Sequence, residues 1–229
     1  MSYLILVVLL GIWCTVHSVM ISLTVTDYIK NSFGRCSRFY RLFFNLFALS
    51  TITPIILYGK TLKEQLLFRW EGYLVILQVF LIVTAVLLFI YGGKKYDLLQ
   101  FFGIRQIKTG TSHTALSETG DIDTTGILSL IRHPWYLAII LLIWSGFREV
   151  YVSTLIMSVV LTIYTVTGTL LEERKLIIAY GDKYRNYQKK VSMFVPFKWF
   201  IFKLRKKADR ALLTDCPQAD SMRNTNSKR

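Results

Sequence analysis

The chain has 229 residues, of which 53% are hydrophobic and 18% are charged, and its formal net charge at pH 7 is +14. That length would suit one or two soluble domains, but long uncharged runs exclude a soluble fold. Its three cysteines, Cys14, Cys36 and Cys216, are spaced neither as a disulfide framework nor as metal ligands. No metal site is therefore predicted.

The first three apolar runs contain no Asp, Glu, Lys or Arg, and they cover residues 3–26, 42–59 and 72–93. A helix needs about 20 residues, at about 1.5 Å each, to cross the ~30 Å hydrocarbon core of a bilayer. The runs therefore predict transmembrane helices over 3–26, 40–59 and 72–92. The first run has neither the basic segment nor the cleavage pattern of a signal peptide, so we expect it to be retained.

Two further apolar stretches, 134–147 and 150–171, are separated only by the sequence FREV. The first of these is short for a span, so it is expected to tilt or to lie partly buried against its neighbours. The whole pattern predicts an all-α integral membrane protein with five transmembrane helices. One membrane domain would cover residues 1–207, with cytoplasmic helices over 173–207, and residues 208–229 would form a disordered polar tail.

Basic residues are distributed unevenly along the chain. Of the 28 Lys and Arg, 24 lie within residues 27–41, within residues 92–134 or from Arg174 onward. Because basic loops stay on the cytoplasmic side of a membrane, this distribution predicts an outside N-terminus and a cytoplasmic C-terminus, which five spans allow. Charge that flanks membrane segments favours anionic lipid headgroups, rather than nucleic acid, as the partner.

A polar segment, residues 108–126, follows the third span and is rich in Thr, Ser, Gly and Asp. The sequence YDLLQFFGI just before it is typical of an amphipathic stretch at the membrane surface. Loops beside a membrane often close over ligands, but a plain linker fits this composition equally well. Both interpretations stay open at this point.

Charged residues stand at the open ends of the last two apolar stretches. Arg132 and His133 precede the fourth stretch, and Glu172 and Glu173 follow the fifth. Since the short turn between them makes the two stretches antiparallel, the four residues are predicted to meet at one end. Ionisable groups cost about 2.5–3.5 kcal/mol at the centre of a bilayer, so their presence indicates a functional site. The alternative is a structural pair, in which Arg132 anchors the helix at the interface and Glu172 is its partner.

The segment after the two glutamates continues into the cytoplasm. Gly181 is a natural residue to end a helix, and Asp182 is a natural N-cap for the next one. Tyr180, Tyr184 and Tyr187 follow at helical spacing. We expect these tyrosines to face the membrane surface, and the alternative is that they cover a site.

Three other stretches place polar groups at membrane boundaries or inside a span. Residues 197–207, FKWFIFKLRKK, mix aromatic and basic side chains as an interfacial segment does. His17 lies inside the first span beside Ser18, where packing is a commoner role for a single histidine than ligand binding. The sequence RFYRLFFN, at the start of the second span, is typical of interfacial anchoring.

The pair RHPWY and LEERKLIIAYGDKYRNY resembles the signature of the integral-membrane methyltransferase superfamily. That superfamily contains the isoprenylcysteine carboxyl methyltransferases and the phospholipid methyltransferases. Its signature has R-H-P-x-Y at the start of one membrane helix, E-E at the end of the next, and then G-x-x-Y-x-x-Y. The matching residues here are Arg132, His133, Pro134, Tyr136, Glu172, Glu173, Gly181, Tyr184 and Tyr187. Their joint occurrence at hairpin spacing is specific, whereas R-H-P alone is weak.

Other stretches narrow this resemblance, which covers residues 10–197. The sequences HS, RFYRLFFN, YDLLQFFGIRQ and VSMFVPF look like those of bacterial methanethiol S-methyltransferases and the related NnrU-type proteins. The chain departs from the usual T-x-G-[IL]-Y before R-H-P, because TTGILSLIRHP has Leu128 where tyrosine is expected. The contact that a tyrosine would make from that position is missing.

The resemblance implies S-adenosylmethionine as the methyl donor, bound on the cytoplasmic side of a bacterial inner membrane. The cofactor-binding residues that it implies are Ile122, Thr124, Gly126, Arg132, His133, Pro134, Tyr136, Glu172 and Glu173. The catalytic residues that it implies are Arg132, His133, Glu172 and Arg174. The residues that it implies for the methyl acceptor are His17, Arg38, Tyr40, Asn45 and Gln106. An arginine would suit the methionyl carboxylate and Glu172 the methionyl ammonium group.

The activity implied is methyl transfer to a small apolar thiol, with methanethiol as the leading acceptor and dimethyl sulfide as the product. A thiol has a pKa of about 8.5, so a base such as His17 or His133, or a positive field from Arg38, Arg132 or Arg174, would assist. Methylation of an isoprenylcysteine carboxylate or of a lipid is the alternative within enzymes. A non-catalytic NnrU-like role is the alternative outside them, and the oligomeric state is not predicted.

Overall fold

The computed structural model describes residues 1–62, 65–95, 98–109 and 122–214, and the chain is almost entirely helical within these ranges. The helices are α1 (Ser2–Met20), α2 (Leu23–Phe33), α3 (Tyr40–Thr61), α4 (Leu74–Gly93), α5 (Leu98–Phe101), α6 (Ile104–Thr109), α7 (Pro134–Ser145), α8 (Val152–Tyr180), α9 (Asp182–Lys190) and α10 (Phe197–Thr214). Two 3-10 helices cover Gly34–Phe39 and Gly126–Ser129, and two short strands are β1 (Leu66–Arg69) and β2 (Glu149–Tyr151).

Within the described residues, four helical runs are long and apolar enough to cross a membrane: Ser2–Met20, Thr24–Thr61, Leu74–Gly93 and Val152–Tyr180. Most of their side chains are exposed, as helices that contact lipid require, since the lipid replaces a protein core around them. The predicted class, an all-α integral membrane protein, is confirmed. The orientation of the chain in the membrane and the extent of its domain stay predictions.

The fourth predicted span, 134–147, is the short helix α7 of 12 residues. At 1.5 Å per residue it is about 18 Å long, which is less than the hydrocarbon thickness. α7 packs closely on α4, where Ala138 contributes to a buried cluster with Ala85 and Leu88. α7 is thus partly buried against its neighbours, as expected from the sequence for a stretch that is short for a span.

Two helix boundaries differ from the predicted spans. α1 ends at Met20 rather than at residue 26, because the Ser22 side chain accepts from the Val25 amide at 3.3 Å and starts α2. α8 continues to Tyr180, nine residues beyond the predicted end of the fifth span. The two glutamates therefore belong to a continuous helix instead of following one.

The strands β1 and β2 join the α3–α4 connection to the α7–α8 turn. They pair antiparallel, with Leu66 opposite Tyr151 and Arg69 opposite Glu149, and the last pair is also an ion pair of 2.8 Å. This pairing brings the end of α3, the start of α4, the end of α7 and the start of α8 to one end of the molecule. The start of α7 and the end of α8 consequently share the opposite end, called the site end below.

A second buried cluster holds α1 and α8 together. Leu6 and Leu10 of α1 contact Met157 of α8, and all three are almost completely buried. Gly59 of α3 lets this cluster close, because a Cβ atom there would lie 2.6 Å from the Met157 sulfur. α8 is thus packed between α7 on one side and α1 and α3 on the other.

Two predicted features fall partly outside the described residues. Residues 110–121 of the polar segment lie outside them, as do residues 215–229 of the predicted tail. α10 extends to Thr214, past the boundary predicted at residue 207.

Candidate functional site

Arg132 and His133 are positioned by backbone pairing with a segment that follows α9. Ile131 and Ser192 form an isolated parallel bridge. The Arg132 amide donates to the Ser192 carbonyl at 2.9 Å, and the His133 amide donates to the Met193 carbonyl at 3.1 Å. The extended backbone here then turns into α7 at Pro134, a residue suited to the first helical position.

Glu173 lies at the centre of a buried hydrogen-bond network and is only 6% exposed. Arg132 donates from Nε to Glu173 Oε1 at 2.7 Å, and its Nη2 lies 2.6 Å from the same oxygen. His133 Nε2 is 3.2 Å from that oxygen, and the Tyr184 hydroxyl donates to it at 3.3 Å. Gln188 Nε2 donates to Glu173 Oε2 at 2.9 Å. Both carboxylate oxygens are therefore satisfied within the protein.

The remaining guanidinium nitrogen of Arg132, Nη1, donates to backbone carbonyls. The acceptors are the carbonyl oxygens of Gln188, at 3.3 Å, and Val191. The Arg132 side chain is buried, so these bonds replace the water that the charge loses on folding. Arg132 thereby ties the end of α9 and the segment after it to α8.

Glu172, the neighbouring residue, lies in different surroundings. Its side chain is 36% exposed, and His133 Nδ1 lies 3.9 Å from its Oε2. Among the described residues, Glu172 Oε2 is buried and has no hydrogen-bond partner. A carboxylate oxygen shielded from water in this way favours a ligand that brings a cation or an N–H donor.

A small cavity, partly open to solvent, lies beside Glu172. Its walls come from the start of α7, from α8 and α9, and from the two residues that follow the undescribed segment. The lining residues are Ile122, Asp123, Arg132, His133, Glu172, Leu176, Tyr180, Tyr184 and Tyr187. Four of the predicted cofactor-binding residues are thus brought to one cavity, although 50 positions separate the first from the last.

The three tyrosines cover the cavity instead of facing the membrane surface, so the expectation for them was wrong. Tyr184 and Tyr187 are buried, and Tyr180 packs against them. Burial raises the pKa of the Tyr184 phenol well above its usual range, and the charge of Glu173 adds to this effect. Burial also raises the pKa of Tyr187. Both phenols therefore stay neutral at any physiological pH and serve as hydrogen-bond donors.

A cluster of Lys95, Asp123 and Thr125 fixes the chain where it enters the cavity wall. Lys95 Nζ lies 3.0 Å from Asp123 Oδ2 and donates to Thr125 Oγ1 at 2.5 Å. Burial alone would raise the pKa of Asp123, but hydrogen bonds from Thr125 and Lys95 outweigh it and lower that pKa. An ionised Asp123 thus holds Ile122 against the cavity from the end of α4.

The other predicted cofactor-binding residues lie around the cavity without lining it. Thr124 and Gly126 are exposed, and the Tyr136 ring lies 5.6 Å from the His133 ring. Pro134 is buried at the start of α7, and Glu173 is shielded by its own network. Gly126 has φ +61°, and a Cβ there would lie 3.0 Å from Lys95 Cε, so glycine keeps the Lys95 cluster close.

Arg174, a predicted catalytic residue, and Leu128, which replaces an expected tyrosine, both lie outside the cavity lining. Arg174 is exposed on α8. Leu128 is buried, and its carbonyl accepts from the Tyr187 hydroxyl at 2.5 Å. A tyrosine hydroxyl therefore does lie beside position 128, but it comes from α9.

His17 belongs to a separate polar cluster between α1 and α8. Its Nδ1 lies 2.8 Å from the Tyr164 hydroxyl, which is also 2.9 Å from Ser18 Oγ. The His17 ring packs against the rings of Trp13 and Phe44, with centroids 4.9 Å and 4.8 Å away. Tyr164 precedes Glu172 by eight residues on α8, which is about 12 Å along the helix, so this cluster lies apart from the cavity.

An open apolar groove adjoins His17 between α1 and α3. Its lining residues are Leu9, Ile12, Trp13, Val16, His17, Phe47, Ala48, Thr51 and Ile55. The Trp13 indole donates to Thr51 Oγ1 at 3.0 Å and to the Ala48 carbonyl at 3.3 Å, which satisfies that polar group within the groove wall.

The remaining predicted acceptor residues lie in neither cavity lining. Arg38 is exposed, with its guanidinium 4.9 Å from the Phe39 ring centroid. The Tyr40 hydroxyl donates to a carbonyl at the end of α1 at 2.7 Å, and Asn45 donates to a carbonyl at the end of α5 at 3.1 Å. Gln106 is buried in α6. Tyr40 and Asn45 therefore fasten helix ends to one another.

Sequence reasoning missed Lys95, Asp123, Gln188 and Leu176. The signal for Gln188 was available, because it follows Tyr184 by one helical turn and so shares its face. The other three carried no motif, and Lys95 is 28 residues from its carboxylate partner. Among the described residues, no group of three or more His, Cys, Asp or Glu could hold a metal ion.

The family model for NnrU protein matches residues 5–204. This chain belongs to the NnrU family. Since that match covers most of the chain, it includes the site end and both cavities.

Several curated relatives are similar over a shorter segment. The chain is 35% identical over 97 residues to methanethiol S-methyltransferase of Pseudomonas deceptionensis, which is 42% of this chain and 36% of that protein. It is 35% identical over 101 residues to methanethiol S-methyltransferase 1 of Bradyrhizobium diazoefficiens, covering 43% and 34%. It is 32% identical over 99 residues to methanethiol S-methyltransferase of Crocosphaera subtropica, covering 42% and 37%. The matches span little more than a third of these relatives, and no solved structure matches the chain.

Proposed function

We propose that this NnrU-family protein is a membrane methyltransferase that moves a methyl group from S-adenosylmethionine to a small apolar thiol, with methanethiol as the leading acceptor. The observation that carries the proposal is Glu172 Oε2, which is buried without a hydrogen-bond partner among the described residues, in a cavity beside Arg132 and His133. The similarity to several methanethiol S-methyltransferases supports methyl transfer to this acceptor.

The cavity residues fit the ammonium group and the apolar part of the proposed methyl donor. Glu172 would accept hydrogen bonds from the methionyl ammonium group, which gives the buried Oε2 the partner that it lacks. The aromatic and aliphatic walls, from Tyr180, Leu176 and Ile122, would pack against the apolar part of the ligand. When bound, S-adenosylmethionine supplies an electrophilic methyl group on a positively charged sulfur.

Arg132 and Glu173 would act as positioning residues in this proposal. Their donors and acceptors are directed at one another and at the backbone, so their role is to hold the cavity walls in place. This differs from the expectation that Arg132 contacts the cofactor. Arg174, also predicted to be catalytic, is exposed and does not line the cavity.

His133 is the better placed base for a thiol acceptor. It lines the cavity and lies between the two carboxylates, with Nδ1 3.9 Å from Glu172 and Nε2 3.2 Å from Glu173. A positioned imidazole can remove the thiol proton, which a neutral sulfur nucleophile must lose. His17 does not line the cavity, and its partner Tyr164 lies about 12 Å from Glu172 along α8.

A lipid-borne acceptor is the second candidate, and the apolar groove between α1 and α3 favours it. The groove is larger than the cavity beside Glu172, and its lining is almost wholly apolar. An isoprenoid or acyl chain could enter this groove from the bilayer.

The proposed site faces the cytoplasm from a bacterial inner membrane. The supporting observation is charge, because 24 of the 28 Lys and Arg lie in segments that border or follow the site end. S-adenosylmethionine is made in the cytoplasm, so this orientation also gives the cavity access to its ligand.

The test is release of S-adenosylhomocysteine by the full chain in lipid nanodiscs supplied with S-adenosylmethionine. Methanethiol, a farnesylated cysteine analogue and no acceptor are compared, in sealed vessels, for the wild type and two variants. Glu172→Gln should bind the donor roughly 10- to 100-fold more weakly, since it loses a charge-assisted hydrogen bond. Glu71→Gln is the matched control, because it removes the same charge from an exposed carboxylate far from the cavity.

Each outcome decides between the candidates. Product with methanethiol, lost in Glu172→Gln and kept in the control, supports the proposed function. Product with the farnesylated analogue alone moves the acceptor to the lipid class. No product with either acceptor, and no donor binding by calorimetry, would make the enzyme proposal wrong and favour a non-catalytic role.

A further inference from the structure

α10 carries an apolar stripe that the rest of the described chain leaves uncovered. Phe197, Phe200, Ile201 and Leu204 recur at the i, i+3, i+4, i+7 spacing that puts side chains on one face of a helix. Their side chains are 51–66% exposed. Large apolar side chains grouped in this way mark a surface that binds something.

Basic residues occupy the other faces of α10. Lys198, Lys203, Arg205 and Lys206 are all exposed, and the helix holds six basic residues against one acidic residue. The Lys203 ammonium group lies 4.7 Å from the centroid of the Trp199 ring. An apolar stripe bordered by lysines, arginines and tryptophan is the pattern that seats a helix between lipid headgroups and acyl chains.

The start of α10 is fastened to the site end of the molecule. The Lys198 amide donates to Ser192 Oγ at 3.1 Å, and Lys198 Nζ donates to the Gln188 carbonyl at 2.6 Å. Ser192 in turn accepts from the Arg132 amide, where α7 is about to begin. α10 therefore starts beside the start of α7, at the site end of the molecule.

We propose that α10 is a membrane-surface helix that binds anionic lipid headgroups on the side of the candidate site. The apolar stripe enters the boundary between headgroups and acyl chains, and the basic residues contact lipid phosphates. Removing three basic residues should weaken such binding roughly 100-fold. This inference stands independently of the proposed methyl transfer.

The test places an environment-sensitive fluorophore on either side of α10 in the full chain. The native cysteines are replaced by serine, and Leu204→Cys or Lys206→Cys supplies the attachment point. The two proteins are placed in nanodiscs of phosphatidylcholine alone or with 30% phosphatidylglycerol, with brominated acyl chains as the quencher. The label at position 204 should be quenched at least threefold more in anionic nanodiscs than in neutral ones, whereas that at position 206 should stay open to aqueous iodide.

A charge-matched pair of variants separates local attraction from the net charge of the protein. Lys203→Gln/Arg205→Gln/Lys206→Gln should reduce quenching at position 204 in anionic nanodiscs to the neutral-lipid level. Lys175→Gln/Lys189→Gln/Lys190→Gln removes three exposed charges outside α10 and should leave that quenching unchanged.

Equal quenching in both lipids would overturn the proposal, because the apolar stripe alone would then explain the binding. Equal losses in the two triple variants would overturn it as well, since net charge would be the cause. Tight binding of single-stranded RNA, with the label at position 204 in water in both lipids, would assign the helix to a nucleic acid instead.

Discussion

Glu172 and Glu173 are adjacent residues with the same carboxylate, yet they lie in opposite environments. Glu173 points to the interior of the α7–α8–α9 junction and is saturated by four donors, whereas Glu172 points to the cavity. Successive residues on a helix are rotated by about 100°, so one faces the junction and the other its rim. Their division into a structural and a binding carboxylate follows from this rotation.

Neutral substitutions at the two positions should therefore have different effects. Glu173→Gln leaves Arg132 buried without a counter-charge, and breaking a buried pair in this way costs about 3–5 kcal/mol of folding free energy. Glu172→Gln removes a half-exposed charge without a strong partner, so we expect a change within about 0.5 kcal/mol. Thermal unfolding of the detergent-solubilised proteins measures both, with calorimetric titration of the donor for Glu172→Gln.

The contrast between these variants also distinguishes the two interpretations of Arg132 and the glutamates, a functional site and a structural ion pair. A large loss of stability in Glu173→Gln, together with intact folding and weakened donor binding in Glu172→Gln, fits the division of roles. Equal unfolding temperatures for the two variants would contradict it, because the network around Glu173 would then contribute nothing.

At the scale of elements, the contact between α4 and α7 positions the start of α7, which adjoins His133. Gly92 of α4 faces Trp135 of α7, and a Cβ at Gly92 would lie 2.5 Å from the indole ring. The indole also donates to the Phe89 carbonyl at 3.2 Å. Trp135 is two residues from His133 in the chain. We therefore expect a shift of its ring to move the start of α7 as well.

Gly92→Ala should therefore destabilise the α4–α7 contact. Overpacking of this kind costs about 1–3 kcal/mol, which exceeds the gain in helix propensity of up to about 1 kcal/mol. Gly168→Ala is the matched control, since Gly168 is also helical and a Cβ there would meet nothing within 4 Å. We expect a lower unfolding temperature for the first and an equal or higher one for the second. A neutral Gly92→Ala would mean that Trp135 moves aside without cost.

The short turn between the last two apolar stretches was enough to predict that Arg132 and His133 lie near the two glutamates, because a short connection between antiparallel helices fixes which ends meet. The sequence did not predict the contacts of Tyr184 and Tyr187, because helical spacing says which residues share a face but not what that face contacts. It gave no hint of the Lys95–Asp123 pair, whose partners come from different segments and carry no pattern.

The uncharged runs predicted the ends of α3 and α4 to within two residues, but not the end of α8. α8 runs nine residues past the end of its uncharged stretch, because Arg132, His133 and Gln188 bind the Glu173 carboxylate. α7 is shorter than a span, because its neighbours α4 and α8 bury it. In both cases tertiary contacts, which a hydropathy pattern does not contain, decided the boundary.

The whole molecule has two chemically different ends. Lys60, Arg69 and Arg148 lie at the β1–β2 end, whereas 24 of the 28 Lys and Arg in the sequence fall within residues 27–41, within residues 92–134 or from Arg174 onward. Such an imbalance predicts a cytoplasmic site end. Cys36 lies at the site end, in the 3-10 helix before α3, and is exposed. Tyr73 lies before α4 at the opposite end and is 82% exposed.

Cysteine labelling in spheroplasts tests this orientation with the two positions as reciprocal controls. In a Cys14→Ser/Cys216→Ser background, Cys36 should react with a membrane-impermeant maleimide only after the membrane is opened, because the positive end stays inside. With Cys36→Ser and Tyr73→Cys added, labelling should occur in intact spheroplasts. The reverse pattern would put the cavity outside, away from cytoplasmic S-adenosylmethionine, and would contradict the proposed activity. Labelling of both positions in intact spheroplasts would show that the chain does not cross the membrane between α3 and α4.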